Sequence, residues 1–178
     1  MKKFTPALAI SLALAASSAF ASDGTITING EVSAVTCRIN FGSPNLTVNL
    51  PKVQASAFSA ASPTTGRTQF LIKLDQCTNF TGKYARVYFE PTTADAAGYL
   101  KNTTGTGYAT GVAVKLTNQR GAFINTNLSV DLQQDPAQDG FPLSSSLITM
   151  PYYAEYVATG TVTPGLVATS VVYDIHYW

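Results

Sequence analysis

One pattern limits the fold of this chain more than any other: its apolar residues recur at every second position, and almost nowhere at helical spacing. In an extended strand such alternation makes one face apolar and the other polar. Eight segments carry it, at 25–32, 46–50, 68–74, 85–90, 111–117, 128–132, 152–158 and 166–177. They are rich in Val, Ile, Thr and Tyr, which pack well on a pleated surface. Ser62-Pro63, Gly105-Thr106-Gly107, Asp135-Pro136, Asp139-Gly140 and Thr163-Pro164-Gly165 separate them with turn chemistry. About eight strands without crossover helices predict an all-β antiparallel sandwich or barrel, the immunoglobulin-like sandwich first. The Ala/Ser/Thr-rich stretch 54–66 reads as an ordered loop with a helical turn, not as a domain boundary.

The N-terminus departs from this pattern. Lys2 and Lys3 precede an apolar run from Phe4 to Ala16, and Ala19-Phe20-Ala21 supplies the small-x-small motif that signal peptidases cut after. Residues 1–21 therefore read as a signal peptide, with cleavage after Ala19 as the alternative. Neither this run nor any later one is long enough to span a bilayer as a helix, so the mature chain is expected to be exported and soluble. Cleavage removes two of the 11 basic residues and leaves nine against 10 acidic ones, a net charge of about −1. No basic patch invites nucleic acid. Charged residues make up 12% of the chain, and Thr, Ser, Asn and Gln carry the polarity, as suits an outward-facing β-protein. The remaining ~157 residues suffice for one domain with its own core.

Two cysteines remain, Cys37 and Cys77. In an exported chain they are expected to form one disulfide, with Cα atoms about 4.4 to 6.8 Å apart. Closing a loop of about 40 residues contributes at most roughly 4 kcal/mol on the chain-entropy model. Metal binding is the weaker alternative, because His176 is the sole histidine and neither a zinc site nor a thiol with its base has recognisable spacing.

Catalytic readings find little support. Asp174 and His176 alternate onto one strand face, but no GxSxG elbow accompanies them, and both read as solvent-facing residues of the last strand. Glu31, Glu90 and Glu155 supply carboxylates of the kind glycosidases pair, yet nothing selects them, and Glu31 and Glu155 read as solvent-facing. The chain is expected not to be an enzyme and to need no cofactor or small-molecule substrate.

Both ends of the mature chain are sticky strands. After Ala21 comes SDGTITINGEV, with Gly24, Ile26 and Ile28 on one face, and the chain closes with Val171, Tyr173, Ile175 and Tyr177 on another, opposite Val172, Asp174, His176 and Trp178. With Cys37 and Cys77, YYAEYVATGTVTPG at 152–165, Gly165 fourteenth from the end and Tyr177 penultimate, the chain resembles the type 1-like major pilins of chaperone–usher fimbriae. The likeness spans essentially the whole mature chain.

That resemblance implies an incomplete immunoglobulin-like sandwich, missing its last strand and completed by a donor strand from another subunit. Residues 22–29 would be the N-terminal donor extension and 30–178 the pilin domain. Ile26 and Ile28 would fill groove pockets, with Gly24 where no side chain fits. Gly165, Val171, Tyr173, Ile175 and Tyr177 would form the groove edge that a periplasmic chaperone pairs with before an outer-membrane usher assembles the fibre. Strand addition to an exposed edge is a general recognition mode, and chaperone–pilin complementation is one of its known instances. The implied function is a structural subunit of an adhesive fimbria at the cell surface, polymerising head-to-tail with copies of itself or related pilins. Many family members carry several residues ahead of the glycine matched to Gly24, whereas only Ser22 and Asp23 precede it here. The alternatives are a minor adaptor subunit of the same system and a monomeric secreted sandwich that binds a glycan or protein through its loops.

Overall fold

Alternating residues become strands here wherever a second edge lies beside them to complete the ladder. The computed structural model describes residues 27, 30, 32, 34–59, 63–144 and 146–178. Among them, the ordered body Ser33–Trp178 holds β1 (Thr36–Ile39), β2 (Thr64–Thr78), β3 (Tyr84–Phe89), β4 (Leu100–Lys101), β5 (Val112–Thr117) and β6 (Phe123–Ile124). There follow two single-turn helices, α1 (Val130–Gln133) and α2 (Pro136–Asp139), then β7 (Phe141–Pro142), β8 (Ile148–Ala158) and β9 (Tyr173–Tyr177). The larger sheet runs β1-β2-β8-β5-β4, with β6 added to β5, and the smaller runs β7-β3-β9. Every ladder is antiparallel.

The two sheets face one another across one core. Ile72 and Leu74 of β2, Met150 and Tyr152 of β8, and Val87 and Phe89 of β3 are all but fully buried. Phe89 meets Tyr152 edge-on at 5.3 Å between ring centroids, the geometry that aromatic quadrupoles favour. The β2–β8 ladder runs from Thr64↔Val157 to Leu74↔Ile148, interrupted between Thr65 and Thr68, where Gly66 takes φ +72°. A bulge of this kind bends and twists the long strand.

Several expectations need correction. Residues 128–132 form no strand, because Leu128 and Leu132 face solvent while Gln133, at the end of α1, is buried. Segment 46–50 is extended but joins no ladder among the described residues. The final strand is laddered only over 173–177 instead of 166–177. Strand β2 starts at Thr64, inside the stretch read as a loop, whose helical turn does form at Ala55–Ala57. Glu155 is 9% exposed, because the directly opposite Lys115 lies over it, Nζ to Oε1 3.2 Å. His176 is half-buried at the edge of the Tyr88 ring, 5.7 Å between centroids, whereas Asp174 is exposed as expected.

A buried polar device closes the outer edge of β3 beyond the two residues that β7 covers. The Gln133 amide accepts from Phe89 N–H (3.1 Å) and donates to Phe89 C=O (2.7 Å), so one side chain stands in for a strand residue. At Val87 the substitute is a ring of three bonds. Val87 N–H donates to the Tyr152 hydroxyl (3.3 Å), which donates to Gln134 Oε1 (3.2 Å), and Gln134 Nε2 returns to the Val87 carbonyl. Burial pushes the Tyr152 phenol well above its ordinary range, which keeps the proton this ring needs.

A candidate strand-accepting groove

Two unladdered segments border the open side of the sandwich. One is Pro44–Leu50, where Leu46, Val48 and Leu50 recur at every second position. The other is Val167–Val172, leading into Tyr173 at the start of β9, with Val167, Val171 and Tyr173 packed partly against the core. Between them lies a groove of about 680 Å³ whose floor is the core itself, including Phe70, Ile72, Phe89, Val114 and Leu116. No residue lining it carries an ionisable acid or base other than tyrosine. Its chemistry is therefore apolar surface plus backbone polar groups.

The hydrogen bonds of the second rim show which way its backbone points. The carbonyls of Leu166, Ala168, Ser170 and Val172 accept, respectively, from Ala109 N–H (2.9 Å), Thr103 N–H (2.9 Å), the Thr93 hydroxyl (2.5 Å) and Glu90 N–H (2.9 Å). Asn102 adds a clamp, accepting from Ala168 N–H (2.8 Å) and donating to the Leu166 and Ala109 carbonyls. In an extended chain the intervening residues present their N–H and C=O to the opposite edge. Val167, Thr169 and Val171 have no backbone partner among the described residues, and the same holds for residues 45–50. Two rims of unpaired backbone thus flank a groove floored by core side chains. An unpaired backbone edge beside apolar side chains is a template for pairing with another chain, so this gap has the properties of a site for one more strand.

The residues picked from sequence divide around this geometry. Val171 and Tyr173 line the groove. Ile175 and Tyr177 share their face but lie past its end, packed on the core and opposite Val87 and Ala85 of β3. Gly165 lies outside the groove too: a Cβ there would come within 2.3 Å of Ala109 N and 2.5 Å of the Tyr108 carbonyl carbon. Its bareness lets the rim dock beside 108–109. Cys37 and Cys77 are bonded and tie β1 to β2, as expected; their Cα atoms are 4.0 Å apart, shorter than the expected range of about 4.4 to 6.8 Å, next to a register shift in that ladder. Gly24, Ile26 and Ile28 lie outside the described residues. The rim Leu46-Val48-Leu50 showed its alternation in sequence but reads there as an ordinary laddered strand, and Asn102 gave no signal at all.

A model of the fimbrial protein family matches residues 26–177. The chain belongs to that family. It is 36% identical to the F17 fimbrial protein of Escherichia coli, an alignment covering 99% of both chains. The major fimbrial subunit SMF-1 of Stenotrophomonas maltophilia is 38% identical over 93% of this chain and 99% of its own. Among solved structures, the P pilus rod subunit PapA matches with TM-score 0.60 at 17% identity, covering 80% of this chain and 99% of PapA. A chain of a chaperone–usher pilus matches with TM-score 0.58 at 19% identity, over 88% and 96%. The fold is accordingly the immunoglobulin-like sandwich of chaperone–usher pilins. For a member of this family, a groove between two rims of unpaired backbone is the feature that calls for an occupant.

Proposed function

We propose that this chain is a structural subunit of an adhesive surface fimbria, polymerised head-to-tail by strand donation. The observation that carries the reading is the groove: two rims with unpaired backbone on either side of a cavity floored by core side chains. Residues 22–29, released by removal of a signal at 1–21, insert into the groove of the preceding subunit, with Ile26 and Ile28 facing its floor. Burying each isoleucine contributes roughly 1.5 to 3 kcal/mol, and the backbone ladder adds to it. Donor and groove are different surfaces of one subunit, so the contact is heterologous and propagates as a filament. Before assembly a periplasmic chaperone covers the same edge, which otherwise is an aggregation hazard, and an outer-membrane usher passes the subunit to the surface.

The test is deletion of residues 22–28 in a strain that assembles the fibre. The subunit is expected to fold, form its disulfide and co-purify with its chaperone, while electron microscopy finds no fibres. Unchanged fibres would sink the proposal.

A further inference from the structure

Resting on the groove reading above, a single hydrogen bond between the rims assigns a further role to one residue. The Tyr173 hydroxyl donates to the Pro44 carbonyl at 2.6 Å, joining residues 129 apart in sequence. It is the one hydrogen bond between the two rims among the described residues. We propose that Tyr173 is the end-stop of the groove: by bridging to Pro44 it sets the separation of the rims and confines the inserted strand to the stretch facing Val167–Val172.

Three features support it. On the far side of Tyr173 its own strand leaves the groove, with Ile175 and Tyr177 on the core, and Tyr173 is the first residue laddered to β3. On the opposite rim, the chain before Pro44 curls into the turn Asn40–Gly42, where Asn40 and Phe41 take φ +46° and +56°, a backbone that cannot continue a strand edge. The rim on the Pro44 side therefore turns away at this bridge, while the other passes into β9 with Ile175 and Tyr177 on the core. The length also fits. At ~3.3 Å per residue, the stretch from Val167 to Tyr173 spans about 20 Å, which suits a donor of six to eight residues such as 22–29.

An end-stop matters because an alternating strand that slides by one residue turns its apolar face to solvent, and one that slides by two keeps its pattern but loses its intended pockets. A closed end removes the second freedom. Burial raises the Tyr173 phenol above its ordinary pKa, so it keeps the proton it donates at neutral pH.

The experiment measures binding to the refolded monomer of the full chain. Its probes are alternating Thr-Ile peptides of six, eight, ten and twelve residues, each flanked by paired lysines and carrying a fluorophore. With the native chain, affinity should rise from six to eight residues and then level off. With Tyr173→Phe, which keeps the ring and loses the bridge, it should keep rising, by about tenfold or more from eight to twelve. Tyr177→Phe should behave as the native chain. Continued tightening in the native chain, or an unchanged plateau in Tyr173→Phe, overturns the end-stop alone. So does a Tyr173→Phe protein that no longer takes the six-residue peptide, since the hydroxyl would then belong to the binding surface. Failure of the native chain to bind any of the peptides overturns the groove reading itself.

Discussion

Gly165 occupies a place where backbone meets backbone, and what an added methyl would touch decides its cost. A flexible side chain yields, but the Ala109 amide and Tyr108 carbonyl carbon cannot without moving the rim they support. Gly165→Ala is expected to cost about 3 kcal/mol, the upper part of the usual overpacking range. In a domain of this size that lowers Tm by roughly 10 °C, readable by thermal unfolding. Gln134 is a second such residue, for an electrostatic reason. Its amide completes the ring through Val87 and Tyr152. Gln134→Ala leaves a buried carbonyl and a buried hydroxyl without their partner, at about 1 to 3 kcal/mol each before water or repacking recovers part. A fall of about 2 kcal/mol in urea-unfolding stability is the expected outcome. Gln134→Glu keeps the shape but loses the donor to Val87, and should not rescue.

Among the elements, β1 is held to β2 by more than its short ladder. Arg38 and Asp75 face each other across it, Nη2 to Oδ2 2.5 Å, close to the disulfide. The hydrogen bond from Arg38 holds the Asp75 carboxyl below the ordinary carboxylate range, while Arg38 stays charged. The pair therefore contributes stability above about pH 4, and that contribution is lost as pH falls through the lowered value of the folded state. Asp75→Asn should be slightly less stable than the native chain at neutral pH, with the difference closing in acid; its urea midpoint followed from pH 6 to pH 2 checks this. A difference that grows in acid would contradict the assignment. The last strand carries a related lesson. Ile175 lies opposite Val87 with its side chain on the core, so Ile175→Asp is expected to unfold the subunit by itself. Loss of such a variant from the periplasm reports on folding before it reports on any partner.

At the scale of the whole molecule, the body is a sandwich with a groove along one side that is floored by core side chains. That arrangement separates folding from assembly. On the strand-donation proposal, Ile28→Asp should give a folded, disulfide-bonded subunit that forms no fibres, because the charge would enter an apolar floor only in the neighbouring subunit. Gly24→Trp should slow or stop insertion, and Thr25→Ser on the outward face should leave fibre yield unchanged. Imaging of fibres beside non-reducing electrophoresis of subunit reads all three. A fibre held by a whole inserted strand dissociates only by losing every contact at once, so it should resist dilution for far longer than its affinity alone would suggest.

How much of this the chain announces in advance follows from the range of each interaction. Alternation is local, and it was enough to mark β2, β3, β5 and β8, whose apolar faces became the core. Export and a lone cysteine pair were enough to predict the bond between Cys37 and Cys77. The same pattern misled at 128–132, where the polar side chain of Gln133 found a better buried partner than the leucines did. Segment 46–50 alternates strictly, and 166–172 places Val167 and Val171 on one face. What they lack is a strand to ladder with: among the described residues, 45–50 have no backbone partner and 166–172 bond to residues outside the strands, an outcome settled by long-range packing that no local pattern encodes. Gly165 was visible as a glycine, but the backbone it makes room for, 56 residues earlier at Ala109, was not. The period of the side chains determines which residues face inward; only the tertiary arrangement of the sheets decides which strand edges stay open, because backbone hydrogen bonds are satisfied between segments far apart in the chain.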